Sequence, residues 1–355
     1  MQQEGKKGVD KIKPGMVFFK RKLLKIKYGV YITMKKKILL AVVALIVIFL
    51  ISLPITRYRL DEKINPLTIP ASVADLDSYL SKSESKFGDV VPGAEKKIIW
   101  ASAKQEQTEY AIVYIHGYGA CRQETAPLAD LVAKDLKANL FYTRLTGSAR
   151  NPEALANSNA NDWLNDTVEA LAIGKKIGRK VILIGTSTGS SLIFWLVNQD
   201  KYQKDVASLI LISPNFYPAS KMTKLFLYPA GVGFTKMVYG KERYWEPRNA
   251  GQGKYWNHQY RWEAVTPMMV LVDHVQNIPY EKISIPALFL YTAQDKVVDT
   301  SEIVKKFELF GSKDKKLLNL SQCKDHIMAG DIISPDTTPL IRSEIVGFLK
   351  TIGIK

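Results

Sequence analysis

Cysteine and histidine are scarce in this chain, which has two cysteines and four histidines among its 355 residues. The cysteines, Cys121 and Cys323, lie far apart in the sequence, so at most one disulfide is available and their pairing stays open. Neither is placed to carry a lipid anchor near the N-terminus. A reaction that depends on histidine has to use His116, His258, His274 or His326.

Acidic residues are outnumbered by basic ones, 34 against 50, which gives a net charge of +16. A charge of this size is found in proteins that bind nucleic acid, but its distribution argues against that function. Residues 1–37 carry twelve Lys or Arg against Glu4 and Asp10, a net +10, which leaves +6 for the other residues. The excess therefore belongs to an N-terminal tail, and we expect no nucleic-acid partner.

Charged residues are absent from the apolar run at residues 38–54. As a helix this run reaches about 24–27 Å, the short end of a bilayer span. The basic residues before it favour a cytoplasmic N-terminus, with the rest of the chain on the other side of the membrane. The sequence thus predicts a basic cytoplasmic tail at residues 1–37, a transmembrane signal anchor at residues 38–55 and an extracytoplasmic main domain.

A secreted protein released by signal-peptide cleavage is the alternative, because basic residues followed by an apolar core also form such a signal, above all for translation from Met34. Residues 50–54 are too bulky for a small-x-small cleavage site, which favours the anchor. The basic, aromatic stretch at residues 18–28 fits either an anionic leaflet or an unstructured leader upstream of the true start.

Strands and helices alternate through most of the remaining chain. Residues 56–94 form a connector with one helical segment at 73–86, and residues 95–355 form the main domain. Strands are predicted at 96–101, 109–115, 140–145, 180–184, 206–213, 286–292 and 316–320, and helices at 122–138, 162–177, 190–197, 301–310 and 340–352. Such alternation predicts a mainly parallel sheet with helices on both faces and catalytic groups at the carboxyl edge of its strands.

Residues 214–280 interrupt this alternation. Residues 214–263 contain twelve aromatic side chains and no visible strand pattern, so we expect a helical cap insertion over the catalytic strand ends. The aromatics suit either an acyl or aromatic group of a substrate or the core of the cap itself, and both interpretations stay open.

The sequence Gly185-Thr186-Ser187-Thr188-Gly189 follows an apolar strand and precedes an apolar helix. A sharp strand-to-helix turn strains its central residue and leaves no room for bulk at the two glycine positions. Amides at the start of the helix would stabilise negative charge beside the Ser187 hydroxyl, which makes Ser187 the candidate nucleophile. The motif alone also fits a glycine-rich turn before a buried helix. Whether Ser187 is a nucleophile therefore depends on whether a base, an acid and an oxyanion loop occur elsewhere in the chain.

A serine nucleophile needs a base and a carboxylate that orients the base. His326 follows the last predicted strand in a polar loop and is the candidate base, with His258 as the alternative. Asp295 comes three residues after strand 286–292 and is the candidate acid, while Asp299 is the alternative and also suits a helix N-terminus.

The segment His116-Gly117-Tyr118-Gly119 directly follows strand 109–115, which is the usual setting of an oxyanion loop. The order of His-Gly loop, Gly-x-Ser-x-Gly turn, insertion, acid and histidine resembles that of the α/β-hydrolase superfamily, nearest to its serine esterase and lipase-like members. The resemblance covers residues 95–352 and implies the α/β-hydrolase fold. It implies the triad Ser187, Asp295 and His326, an oxyanion hole formed by the amides of Tyr118 and Thr188, and structural roles for His116, Gly117, Gly119, Gly185 and Gly189.

The resemblance implies a carboxylesterase or lipase-like serine hydrolase that cleaves small-molecule or lipid-like esters through an acyl-enzyme and requires no metal or organic cofactor. The chain departs from the pattern at residues 145–150, where relatives often have Gly-His-Gly. Acyltransferases, thioesterases and peptidases use the same triad, so these activities stay open. A non-catalytic binding protein is a further alternative, against which stands the presence of all three catalytic residue types.

Overall fold

The structure is a computed structural model that describes residues 21, 22, 25, 27, 28, 31–44 and 56–355. The chain divides into two units, Met1–Arg57 and Tyr58–Lys355. Residues 31–44 are helical and exposed, whereas residues 45–55 of the predicted anchor lie outside the described residues. Within the described part of the chain, no helix combines the length and apolarity needed to cross a bilayer.

A seven-stranded sheet forms the centre of the larger unit. The strands of this unit, in chain order, are β1 (Lys97–Ile99), β2 (Thr108–Ile115), β3 (Asn139–Tyr142), β4 (Gly178–Thr186), β5 (Val206–Ile212), β6 (Glu242–Tyr244), β7 (Gln259–Arg261), β8 (Ala287–Tyr291) and β9 (Lys315–Asn319), of which β6 and β7 form a separate two-stranded sheet. The order across the large sheet is β1-β3-β2-β4-β5-β8-β9, and only the β1–β3 pair is antiparallel. This is the mainly parallel sheet that the sequence predicts.

Helices cover both faces of this sheet, and three further helices lie in the insertion described below. They are α1 (Leu76–Glu84), α2 (Leu128–Asp135), α3 (Pro152–Ala156), α4 (Ala160–Ile177), α5 (Thr188–Val197), α6 (Asp200–Gln203), α7 (Pro229–Tyr239), α8 (Ala250–Tyr255), α9 (Val265–Val275), α10 (Thr300–Leu309) and α11 (Thr338–Thr351). Val113 and Leu183 point to one face, where they pack with α4 and α5, and Ile112 and Ile182 point to the other, where they pack with α2 and α11. The central strands are apolar throughout because both of their faces are buried.

The insertion between β5 and β8 is largely helical, as predicted, and contains α7, α8 and α9. The expectation that it holds no strand was wrong, because β6 and β7 pair as a small antiparallel sheet. Each of these strands has three residues, and every residue of β6 is exposed. β6 therefore has no buried side, and β7, in which only Tyr260 is buried, is too short for its polar–apolar–polar order to indicate a strand.

Helix α1, in the segment that precedes the sheet, is joined to the core by a buried ion pair. Glu84 accepts two hydrogen bonds from Arg144, at 2.7 Å from Nε and 3.0 Å from Nη2. The third guanidinium nitrogen, Nη1, donates to the Ser148 carbonyl at 3.1 Å. Both side chains of the pair are less than 10% exposed, at 3% for Arg144 and 8% for Glu84. The pair therefore fixes α1 against the loop that follows β3.

We expect Glu84→Ala to lower the free energy of unfolding by about 3 kcal/mol, because it leaves a buried guanidinium without its partner. The matched control is Glu109→Ala, which removes an exposed partner 3.6 Å from Arg179 and should change stability by less than about 0.5 kcal/mol. Urea denaturation of both variants measures the difference. Equal losses in the two variants would contradict the structural role of the buried pair.

Candidate active site

Ser187 is the single residue between the end of β4 and the start of α5. Its backbone has φ 53° and ψ −117°, in a region that L-residues rarely adopt. Three backbone hydrogen bonds hold this conformation: the Ser187 amide donates to the Ile212 carbonyl at 2.9 Å, and its carbonyl accepts from the amides of Ser190 at 3.0 Å and Asn215 at 3.2 Å. The strained turn expected at Ser187 is therefore present, and it is held by α5 and by β5 and the residues after it.

The glycines on either side of Ser187 lie where a side chain would collide with its neighbours. A Cβ atom on Gly189 would lie 2.0 Å from the Ile115 carbonyl oxygen at the end of β2. A Cβ atom on Gly185 would lie 2.6 Å from Ile193 Cδ1 and 2.8 Å from the Ser190 amide nitrogen. The glycines thus allow α5 to approach the sheet closely enough to bring Ser187 to its edge.

We expect Gly189→Ala to destabilise the protein by about 2 kcal/mol and to displace Ser187, because the new methyl group overlaps a backbone carbonyl. The control is Gly233→Ala in α7, where a Cβ atom meets nothing within 4 Å. Alanine at that helical position should be neutral or stabilising by up to about 1 kcal/mol. Thermal and urea unfolding check both variants, and a fully stable Gly189→Ala protein would refute the close approach.

His326 and Asp295 lie in hydrogen-bond contact, with 2.6 Å between His326 Nδ1 and Asp295 Oδ2. The other oxygen of Asp295 accepts from the amides of Val297 at 2.7 Å and Val298 at 3.2 Å. Burial raises the pKa of Asp295, but these hydrogen bonds and the His326 charge outweigh burial and bring the net pKa below its usual value. Asp295 is therefore an ionised acceptor that fixes the orientation of the imidazole.

Ser187 and His326 line the same cavity, which has a volume of about 440 Å³. Within residues 56–355, the Ser187 hydroxyl has no direct hydrogen bond to His326. Besides Ser187 and His326, the residues that line this cavity include Gly117, Tyr118, Glu124 and Thr188.

The loop that carries His326 is held from two directions. Ser213, which follows β5, donates a hydrogen bond from its hydroxyl to the His326 carbonyl at 2.7 Å. Arg248 in the cap forms an ion pair with the neighbouring Asp325 at 2.5 Å. The imidazole is thus positioned jointly by the sheet and by the cap.

Asp299, the alternative acid, has a different role. Its side chain accepts from the Ser301 amide at 3.1 Å and so caps the N-terminus of α10. Its second oxygen forms an ion pair with Lys221 at 2.6 Å. Of the two acids considered, only Asp295 is bonded to His326.

His258 and His274 lie away from Ser187. The His258 ring contacts the rings of Tyr244 and Trp245, with centroid distances of 5.8 and 6.0 Å. His274 lies on α9, 3.6 Å from Glu62. Neither histidine is among the described residues that line the cavity.

His116 is a buried, neutral link between two loops. Its Nδ1 donates to the Gly117 carbonyl at 2.8 Å, which leaves Nε2 to accept from the Leu145 amide at 2.9 Å. Burial lowers the pKa of His116 to about 4, so the ring is uncharged at neutral pH. His116 therefore joins the loop after β2 to the end of β3 and is not available as a base.

The loop at residues 117–119 lies directly beside Ser187. A Cβ atom on Gly117 would lie 3.3 Å from Ser187 Cβ, and Gly119 has a φ of 64°. The Gly119 carbonyl accepts from the Asn257 amide of the cap at 2.7 Å. Among residues 56–355, the amides of Tyr118 and Thr188 have no hydrogen-bond partner, and both residues line the cavity. Two free amides are thus available for a substrate oxygen.

Glu124 is a residue of this site that sequence reasoning missed. It is 1% exposed, and its Oε1 accepts from the Gly117 amide at 2.7 Å and from the Tyr114 hydroxyl at 2.8 Å. The sequence predicts a continuous helix over 122–138, but the structure has a short 3₁₀ turn at Arg122–Glu124 that is separate from α2. No local pattern indicates that this turn directs Glu124 back toward the loop.

Other titratable groups give no sign of separate chemistry. Among the described residues, no group of three or more His, Cys, Asp or Glu side chains is arranged to hold a metal ion. Cys121 and Cys323 are buried free thiols. Burial raises the pKa of both, to about 12 for Cys121, so neither is a reactive thiolate at neutral pH.

Comparison with known proteins identifies the family. The family model described as serine aminopeptidase, S33, matches residues 106–328. No curated protein matches the chain by sequence.

Solved structures match over almost their whole length. A structure of the metagenome-derived lipolytic enzymes LipS and LipT has a TM-score of 0.61 and 19% identity, covering 74% of this chain and 99% of its own. Monoacylglycerol lipase of Paleococcus ferrophilus has a TM-score of 0.54 and 14% identity, and the match covers 73% of this chain and 100% of the lipase. A soluble variant of monoglyceride lipase from Saccharomyces cerevisiae has a TM-score of 0.53 and 12% identity, and the match covers 75% of this chain and 97% of the lipase. At these identities the likeness concerns the fold, and it confirms the α/β-hydrolase fold.

Proposed function

Because the chain belongs to the S33 serine aminopeptidase family within the α/β-hydrolase superfamily, we propose that it is a serine hydrolase that cleaves carboxylic esters through an acyl-enzyme. The observation that carries the proposal is the strained Ser187 in one cavity with the hydrogen-bonded pair of His326 and Asp295. A strained backbone persists only where the surrounding structure enforces it, which is typical of functional sites.

In the proposed reaction, His326 Nε2 accepts the proton of the Ser187 hydroxyl while the oxygen attacks the ester carbonyl. Asp295 holds the ring by its Nδ1 and stabilises the imidazolium that forms. The amides of Tyr118 and Thr188 donate to the oxygen of the tetrahedral intermediate. His326 then protonates the leaving alcohol, and water releases the acid from Ser187 by the same steps in reverse.

Peptide hydrolysis is the second candidate, because the family description names an aminopeptidase. An aminopeptidase has to bind a free α-ammonium group, for which carboxylates are the suitable partners. The cavity instead presents the cationic side chains of Arg243 and Lys296. Of its two carboxyl groups, Asp325 is paired with Arg248, and burial raises the pKa of Glu124 to about 8, which favours the neutral acid. This charge distribution favours an ester over a free N-terminus.

The proposed substrate is a small-molecule or lipid-like ester. The cavity has the size of an ordinary small-molecule site, and Trp245, Trp256, Tyr260, Val265 and Met268 of the cap contribute to its lining. Of the proteins with a similar fold, one is named as a monoacylglycerol lipase and one as a monoglyceride lipase, which supports an acyl chain in this cavity.

We expect Ser187→Ala to abolish hydrolysis of short p-nitrophenyl esters and to leave the thermal midpoint unchanged or raised, since it removes a strained group. A fluorophosphonate probe should label wild-type protein at Ser187, as peptide mapping can determine. Assays with aminoacyl p-nitroanilides distinguish the peptidase alternative. An active Ser187→Ala protein, or a label at another residue, would remove the basis of the assignment.

We expect Asp295→Asn to lower kcat by about 10⁴-fold, because an amide at this position favours the wrong histidine tautomer. The control is Asp299→Asn, which keeps a good helix cap and should retain activity. His326→Ala should be as damaging as Ser187→Ala because members of a triad act together. If His258→Ala lowered kcat more than His326→Ala does, the assignment of His326 as the base would be wrong.

We further propose that residues 38–55 anchor the protein in a membrane with residues 58–355 on the extracytoplasmic side, and that the alternative is a secreted form. The uncharged run at 38–54 after twelve basic residues supports this proposal. Attachment should survive high salt and carbonate washing, since hydrocarbon burial rather than lysine–headgroup attraction holds a span. A soluble protein with a new N-terminus near Ile55 would instead indicate signal-peptide cleavage.

A further inference from the structure

Glu124 is a buried carboxyl group that no step of the proposed reaction uses, although it lines the cavity beside Ser187. Its Oε1 already accepts two hydrogen bonds, from the Gly117 amide and the Tyr114 hydroxyl. Its Oε2 has no hydrogen-bond partner within residues 56–355, and it is not among the enclosed polar atoms that lack one. The free oxygen therefore opens into the cavity.

The position of this oxygen follows from Gly117. A Cβ atom added to Gly117 would lie 3.1 Å from Glu124 Oε2 and 3.3 Å from Ser187 Cβ. The two atoms are thus no more than 6.4 Å apart, the sum of these two distances. Gly117 directly precedes Tyr118, whose amide is one of the two free donors. Glu124 Oε2 therefore lies within reach of an oxygen of an ester bound at Ser187.

The surroundings of Glu124 favour its neutral form. Burial raises the pKa of Glu124 to about 8, although the hydrogen bonds from Gly117 and Tyr114 lower it. Tyr114 on β2 has a pKa well above its usual value, and Cys121 and His116 in the adjoining loop are uncharged at neutral pH.

Two further titratable or charged groups lie near Glu124. His326, across the cavity, is paired with Asp295. Arg122, in the same 3₁₀ turn as Glu124, directs its guanidinium over the Tyr142 ring, 5.2 Å from the centroid. No cation among the described residues therefore pairs with the Glu124 carboxyl, and of its two oxygens only Oε2 is left unoccupied for a proton.

We propose that Glu124 is a neutral carboxylic acid that donates a hydrogen bond from Oε2 to an oxygen of the bound ester and thereby sets the alkaline limit of activity. The inference rests on the proposed ester hydrolysis. A carboxylate at this place would do the opposite, because its charge would repel the oxyanion formed nearby. If the two charges were about 6 Å apart, close to the upper limit of the distance from Oε2 to Ser187 Cβ, an effective dielectric constant of about 20 would make the repulsion correspond to roughly a hundredfold loss in rate.

The direction of the pH dependence follows from the raised pKa. Below about pH 8 the acid is neutral and donates, and above it the carboxylate repels, so kcat/KM should fall as pH rises through this value. The test is the profile of kcat/KM from pH 6 to 10 with a p-nitrophenyl ester, for the wild type and for Glu124→Gln. The amide of Glu124→Gln still donates but cannot ionise. We expect about fivefold lower activity at pH 7, from a weaker donor, and no alkaline fall.

The matched control is Glu169→Gln, another buried acid, which lies outside the residues lining the cavity. It should retain the alkaline fall of the wild type. Tyr114→Phe is a second variant, in which loss of the hydroxyl donor raises the pKa of Glu124 and should move the fall to higher pH. An alkaline fall that is the same in wild type, Glu124→Gln and Tyr114→Phe would overturn the proposal, as would its absence from the wild type.

An infrared measurement separates this inference from the proposed reaction. At pH 6.5 the difference spectrum between wild type and Glu124→Gln should contain the carbonyl band of a protonated carboxylic acid, and at pH 9.5 the band should be replaced by carboxylate bands. This readout does not depend on turnover or on Ser187 labelling. An ionised Glu124 at pH 6.5 would refute the inference even in an active hydrolase. If the protein shows the protonated-carboxyl band but cleaves no ester, the proposed reaction is refuted, whereas the conclusion that Glu124 is a neutral acid still holds.

Discussion

The close approach of α5 to the ends of β2 and β4 is the constraint on which the site depends. It brings the Ile115 carbonyl so near to Gly189 that no side chain fits there, and it forces Ser187 into its left-handed backbone conformation. The Ser187 amide also donates to Ile212, so the end of β5 holds the same turn. Three neighbouring parallel strands thus meet at one residue, which places the candidate catalytic groups at the carboxyl edge of the sheet.

The cap is an integral part of this site. The backbone amide of Asn257 donates to the Gly119 carbonyl, and its side-chain oxygen accepts from the Ala149 amide at 3.2 Å, so one cap residue holds the loop beside Ser187 and the loop after β3. On the opposite side, Arg248 pairs with Asp325 next to His326. The cap therefore fixes both walls that flank Ser187. A change in the cap would alter the position of the imidazole as well as the shape of the substrate cavity.

The sequence predicts those features whose causes are local. Gly185, Ser187 and Gly189 can be predicted because the sharp turn requires particular residue types at closely spaced positions. The sheet can be predicted because strands that are buried on both faces are apolar throughout. Strands β6 and β7 could not be predicted, because a strand of three residues is too short for a period to be recognised. Glu124 could not be predicted either, because its place depends on a turn that brings it back to Gly117 and on a hydroxyl from β2.

Two carboxyl groups with opposite environments line or adjoin one cavity. Asp295 receives two amide hydrogen bonds and a histidine, and the pKa of its carboxyl is lowered in spite of burial. Glu124 receives one amide and one neutral hydroxyl, and burial raises its pKa. Each environment is unfavourable for stability in its own way, since one buries a charge and the other withholds a carboxylate from water. Their occurrence beside a strained serine is the pattern expected where a fold sacrifices local stability for chemistry.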